Sequence, residues 1–143
     1  MTVAMILNEK GRDVVTAKAT DTVGDICKTL SEKRIGAILV TNAAGQIEGI
    51  VSERDVVRVI GKDGPSALEQ SVDSVMTHAV VTCADTDTVN SVMARMSAGR
   101  FRHMPVVSGG KLVGLVSIGD IVKHRIAQIE REAAQMRDYI AMA

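Results

Sequence analysis

The chain is written twice, and this limits its fold more than any other feature. Residues 14–34, VVTAKATDTVGDICKTLSEKR, realign with residues 80–100, VVTCADTDTVNSVMARMSAGR, sharing Val-Val-Thr, Thr-Asp-Thr-Val, a serine and an arginine. Residues 36–57, GAILVTNAAGQIEGIVSERDVV, then match residues 103–122, HMPVVSGGKLVGLVSIGDIV. The offset drifts from 66 to 67 to 65, so the gaps fall in loops. One copy of about 60 residues buries too little core to stand alone, so the two must pack on each other. The segment between them, GKDGPSALEQS (61–71), has linker composition. The boundary is drawn there: 1–71 is the first repeat with an N-terminal segment and the linker, and 72–143 is the second with a C-terminal helix.

Each copy reads β-α-β-β-α. Apolar stretches at 14–16 and 80–82 read as edge strands. Val23, Ile26, Cys27 and Leu30, and again Val89, Val92, Met93 and Met96, fall at helical spacing. They predict helices at 22–33 and 88–98, with Thr22 and Thr88 as N-caps. Strands at 37–41 and 46–52, and at 104–108 and 111–117, flank short Gly turns that suit hairpins. Second helices start near Arg54 and Gly119. The fold class is α+β: two such repeats related by a pseudo-twofold.

Composition narrows the function. Of 143 residues, 46% are hydrophobic, with one Phe and one Tyr. The core is therefore aliphatic, and a stacking platform for single-stranded nucleic acid is excluded. Seventeen basic residues balance seventeen acidic ones, without the footprint of a nucleic-acid or anionic-membrane binder. No apolar run approaches the roughly 20 residues of a membrane span, and the N-terminus lacks a secretory pattern. Cys27 and Cys83 have no metal or redox spacing and read as buried free thiols. A cytoplasmic location is expected. His78, His103 and His124 are scattered, and GKDG (61–64) lacks the P-loop order. No catalytic constellation or metal site emerges, and the chain reads as a non-enzyme.

GIVSERD (49–55) returns as GLVSIGD (114–120). Ser52 with Asp55, and Ser117 with Asp120, approximate a capping box at a strand-to-helix junction. The same geometry suits a ligand. A helix N-terminus attracts anions, a serine hydroxyl adds a donor, and a carboxylate accepts from a ribose diol. The two readings are compatible.

The duplicated order of helix, PVV-type strand, Gly turn and Ser-x-x-Asp resembles a tandem pair of CBS domains, a Bateman module. DTVGDICKTLSEKRIGAILVTNAAGQIEGIVSERDVV and DTVNSVMARMSAGRFRHMPVVSGGKLVGLVSIGDIV carry the resemblance. It implies that Asp55 and Asp120 hold ribose while Ser52 and Ser117 lie near phosphate. Arg54 adds charge in the first copy, where the second has Ile118 and Gly119. Arg102 and His103 reach phosphate from a central cleft, and Met104 and Pro105 flank the adenine. Gly36, Ala37 and Ile38 are their uncharged counterparts after Ile35. Thr16, Ala17 and Lys18, matched by Thr82, Cys83 and Ala84, give adenine contacts through backbone. A Pro often seen after this strand is absent, with Ala19 and Asp85 in its place.

The expected function is a regulatory adenosine-nucleotide sensor with no catalytic cofactor. AMP comes first, then ADP, ATP or NAD(H). The rivals are a ligand-independent interaction module and an S-adenosylmethionine sensor, the latter leaving Arg102 and His103 unexplained. Val122, Ile126, Ile129, Ala133, Met136 and Ile140 form a short heptad stripe on a C-terminal helix of about 22 residues. It packs either across its own module or in a homodimer or larger assembly, with VAMIL adding contacts. The homodimer is favoured. The protein target is unknown; no nucleic acid or membrane is expected as a partner.

Overall fold

The computed structural model describes residues 1–142. Helix α1 (Val3–Lys10) comes first. The first copy is β1 (Thr16–Ala17), α2 (Val23–Lys33), β2 (Ala37–Thr41), β3 (Ile47–Ser52) and α3 (Glu53–Asp63). After two 3-10 turns, Gly64–Glu69 and Val72–Ser74, the second copy is β4 (Cys83–Ala84), α4 (Val89–Gly99), β5 (His103–Ser108), β6 (Lys111–Ser117) and α5 (Ile118–Met142). The β-α-β-β-α unit is therefore present twice.

Each copy forms its own three-stranded sheet, ordered β1-β2-β3 and β4-β5-β6. The first pair in each is parallel and the second is an antiparallel hairpin. A parallel pair needs a crossover, which α2 and α4 supply. The first strands lie later than the apolar stretches suggest. Thr16 pairs with Leu39 and Cys83 with Val106, because the parallel partner, not local hydrophobicity, sets where these two-residue strands form. The presumed linker is ordered too. Helix α3 runs to Asp63, Gly64 turns the chain at φ 73°, and the 3-10 turn buries Ala67 completely.

The caps explain the helix limits. Thr22 Oγ1 accepts from Asp25 N at 3.1 Å while Asp25 returns a bond to Thr22 N at 3.0 Å. Thr88 Oγ1 accepts from Ser91 N at 3.1 Å. Helices α2 and α4 both end on an arginine in the left-handed region, Arg34 at φ 54° and Arg100 at φ 56°. The next residue closes the turn, Ile35 N to Leu30 O and Phe101 N to Met96 O. Glycine is the usual occupant there, so both copies keep a side chain at a backbone cost of about 1–2 kcal/mol.

Two aliphatic cores form, and neither is built from one repeat alone. Val23, Ile26, Leu30, Ile38, Val40, Val51 and Val56 are joined by Val72 and Met76, which follow residue 71. Val89, Val92, Met96, Met104, Val106, Val116 and Ile121 are joined by Val3, Ile6 and Leu7 of α1. Matching bridges dock the two segments: Thr2 pairs with Thr88, and Ser71 with Thr22. Each segment lies over a glycine. A Cβ at Gly49 would stand 2.5 Å from Met76 Sδ, and one at Gly114 would stand 2.6 Å from Leu7 Cδ2. The N-terminal segment, grouped with the first repeat from sequence, completes the second core.

Helix α5 buries Ile121 and His124 near its start. Beyond them the stripe is open: Ile129 is 58% and Ile140 65% exposed. Packing across the chain's own module does not cover it.

Candidate functional site

Each strand-to-helix junction is held by one backbone bond. Glu53 N donates to Gly36 O at 3.0 Å, and Ile118 N to Arg102 O at 2.8 Å. This places the start of α3 beside the start of β2, and that of α5 beside β5. Around these points both Ser-x-x-Asp pairs cap their helices in a capping box, and their serine hydroxyls differ in the bonds they make. Ser117 and Asp120 form a reciprocal capping box: Asp120 N donates to Ser117 Oγ at 3.1 Å and Ser117 N to Asp120 Oδ2 at 2.8 Å. In the first copy, Asp55 Oδ2 accepts from both Ser52 N (2.8 Å) and Ser52 Oγ (3.1 Å).

A cavity of about 500 Å³ opens beside the first junction, within the range of small-molecule sites. The first copy lines it with Gly36, Ile50, Ser52, Glu53, Arg54, Asp55 and Arg58. The other wall is Thr77, Ala79, Val80 and Val81, with Gly99 through His103. The second wall is set by Thr77, which pairs with Ile50 through two backbone bonds of 2.9 and 3.0 Å. Gly36 lets the walls approach, since a Cβ there would lie 3.1 Å from His103 Nε2. Four arginines (54, 58, 100 and 102) face two acids (Glu53 and Asp55), so the cleft favours an anion.

His103 is half-buried, and that burial holds its imidazole below the ordinary value. Lys10 and Arg102 push the same way, against Asp120 and Glu53. A neutral ring at pH 7 offers one donor and one acceptor. Asp120 lies lower than usual: burial would raise it, but bonds from Lys10 and Ser117 outweigh that. Burial pushes the Cys83 thiol up to about 11 and also raises the half-buried Cys27, so neither is a ready thiolate.

Of the residues singled out from sequence, Gly36, Ser52, Arg54, Asp55, Arg102 and His103 come together at the cavity. Thr16, Ala17, Lys18, Ala37, Thr82, Ala84, Ser117, Ile118 and Asp120 do not line it. Ile38 and Met104 are fully buried in the two cores. Strand alternation sends them inward with Val40 and Val106, so the side chain of Met104 does not reach the cavity; Pro105, buried too, is also absent from the lining. Phe101, Val80, Val81 and Ile50 are the apolar surfaces in the cavity instead. Arg100 joins Arg102 and His103 from the basic run leading into β5, while Glu53, Arg58, Phe101 and the 77–81 segment are additions that sequence reasoning missed.

A duplicated β-α-β-β-α unit with a charged cleft between its copies defines a tandem-repeat ligand module. The chain belongs to the CBS domain family, whose model matches residues 10–62 and 72–127. The mitochondrial CBS domain-containing protein CBSX3 of Arabidopsis thaliana is 29% identical over 97% of this chain and 71% of its own length. The chain spans 23% of a second Arabidopsis relative, CBSCBSPB2, at 27% identity. A crystal structure of a CBS-domain protein from Agrobacterium tumefaciens superposes with TM-score 0.86 at 44% identity, covering 87% of this chain and 99% of that one. The CBS pair of protein MJ0100, crystallised with 5-methylthioadenosine and S-adenosyl-L-methionine, shares the fold at 22% identity and TM-score 0.80, over 90% and 98% of the chains. Among the described residues, no helix is long and apolar enough to cross a membrane.

Proposed function

We propose that the chain is a regulatory, non-catalytic module that binds an adenosine nucleotide in the cleft beside Asp55, with AMP first and ADP, ATP and NAD(H) as alternatives. One observation carries this reading: a carboxylate suited to a ribose diol shares a cavity of about 500 Å³ with four arginines and His103. Arg forks match phosphate oxygens, and His103 adds a donor. Phe101, Val80 and Val81 supply apolar surface for a base. The ligands named with MJ0100 support an adenosine-containing ligand. S-adenosylmethionine has no phosphate, however, and sets a single carboxylate beside two cationic groups, a weaker match for four arginines.

A ligand here touches both copies, so its binding energy differs between two arrangements of the halves, and that difference is the signal. The readout is a homodimer joined through the open stripe of α5, acting on a further protein target. Two unpaired cysteines suit a reducing, cytoplasmic setting.

A thermal-shift series with AMP, ADP, ATP, NAD(H) and S-adenosylmethionine tests the reading. Ligand at about 100 times its dissociation constant stabilises by about 2.7 kcal/mol, which raises the melting point of a chain this size by roughly 8 °C. AMP should shift the wild type and not Asp55→Ala. A shift by S-adenosylmethionine alone, or one that survives Asp55→Ala, would sink it.

A further inference from the structure

The two Ser-x-x-Asp junctions match in sequence, but the chain itself fills only one. Asp120 Oδ2 accepts from the Lys10 ammonium at 2.6 Å, and the same ammonium donates to Leu115 O at 2.7 Å. Lys10 is the last residue of α1, and Val3, Ile6 and Leu7 sink that helix into the second core. The lysine is therefore presented by an anchored helix rather than a loose arm. At the first junction the cation recorded near Asp55 is Arg58, at 3.8 Å with its side chain 78% exposed. A sequence offset of 69 sets Val3 on Val72 and Leu7 on Met76, the residues that complete the two cores, and it sets Lys10 on Ala79. Ala79 lines the cavity. Where the first half has a methyl group and open space, the second has an ammonium on its carboxylate.

We propose that Lys10 sets the number of ligands the chain takes: it occupies the carboxylate of the second half and leaves the cleft beside Asp55 as the single nucleotide site. A ribose diol reaching Asp120 would have to displace an ammonium, which brings a full opposite charge to the carboxylate, and offer uncharged O–H donors in its place. It would also strip the ammonium of one of its two acceptors. Both pairs cap their helices, but only Ser52 and Asp55 also line the cavity and so serve the ligand. This inference rests on the nucleotide reading above.

Calorimetric titration with AMP tests it on the full chain. Wild type and Lys10→Arg, which keeps a cation on Asp120, should bind one AMP per chain. Lys10→Met, which keeps the aliphatic stem, should bind two. Asp55→Ala should bind none, Asp55→Ala with Lys10→Met should regain one, and adding Asp120→Ala should remove it. A purely structural role for Lys10 moves the melting point but cannot restore binding to Asp55→Ala. Two AMP per wild-type chain, one per Lys10→Met chain, or weaker binding by Lys10→Met would each overturn the inference while leaving the nucleotide reading intact. No binding by either wild type or Lys10→Met would overturn both.

Discussion

Leu7→Ala tests the unexpected use of α1. Leu7 is 1% exposed, and its Cδ2 would lie 2.6 Å from a Cβ at residue 114. Its isobutyl group thus fills space that Gly114 leaves on β6. Leu→Ala in a closed core costs about 2.7–5 kcal/mol. Because α1 packs at the border of its core, about 3 kcal/mol is the reasoned figure. Unfolding entropy of roughly 2.1 cal/mol/K per residue gives about 0.3 kcal/mol/K for this chain, so the melting point should fall by about 10 °C. Met76→Ala should cost a similar amount, since Met76 fills the equivalent place over Gly49. Met5, on the same helix but 46% exposed, supplies the control: Met5→Ala should stay within about 0.5 kcal/mol of wild type. Circular dichroism melts of the four proteins decide the matter. If Leu7→Ala melts within 2 °C of wild type by order of magnitude, or falls no further than Met5→Ala, α1 does not complete the second core.

The remaining predictions concern the helix ends and the open stripe. Arg34→Gly removes the left-handed penalty of about 1–2 kcal/mol and adds about 0.5–1 kcal/mol of backbone entropy cost. It should therefore gain about 0.5–1 kcal/mol in a urea titration. Arg100→Gly should gain as much in stability yet weaken AMP binding, because Arg100 lines the cavity and Arg34 does not; equal AMP affinity in both variants would contradict the site. For the stripe, light scattering should find a wild-type dimer and a monomer after Ile126→Glu with Ile129→Glu. A wild-type monomer would remove α5 as an interface.

Most of the elements were legible because their signals are local. Thr22 and Thr88 announce α2 and α4, and the hairpin strands fall within a residue of where alternation and the Gly turns put them. The short β1 and β4 were misplaced because Val14, Val15, Val80 and Val81 look like strand, whereas the pairing is dictated by β2 and β5. The exchange of core segments was hidden. VAMIL and VDSVM share only their first residue and apolar fourth and fifth positions, and their offset of 69 differs from that of the main repeat. At the site, Ser52 and Asp55 could be read because the repeat marks them twice, as Ser117 and Asp120, whereas Arg54 and His103 have no charged counterpart and were read from the resemblance. Arg58 and the 77–81 segment could not, because tertiary packing alone brings them to the cleft. Lys10 and Asp120 are 110 residues apart, and no pattern links them. Met104 was within reach: period-two alternation with Val106 already sends it to the core.

The crossed segments also bear on how such a molecule can move. Each half is strapped to its neighbour by a peptide buried in the other's interior, α1 at one end and the stretch from Val72 to Met76 at the other. Tilting one half against the other would therefore load both straps at once. Residue 71 divides the text of the sequence but not the folded object: fragments cut there would each carry the plug for the other's opening. The grammar of the chain is two sentences whose last words have been traded.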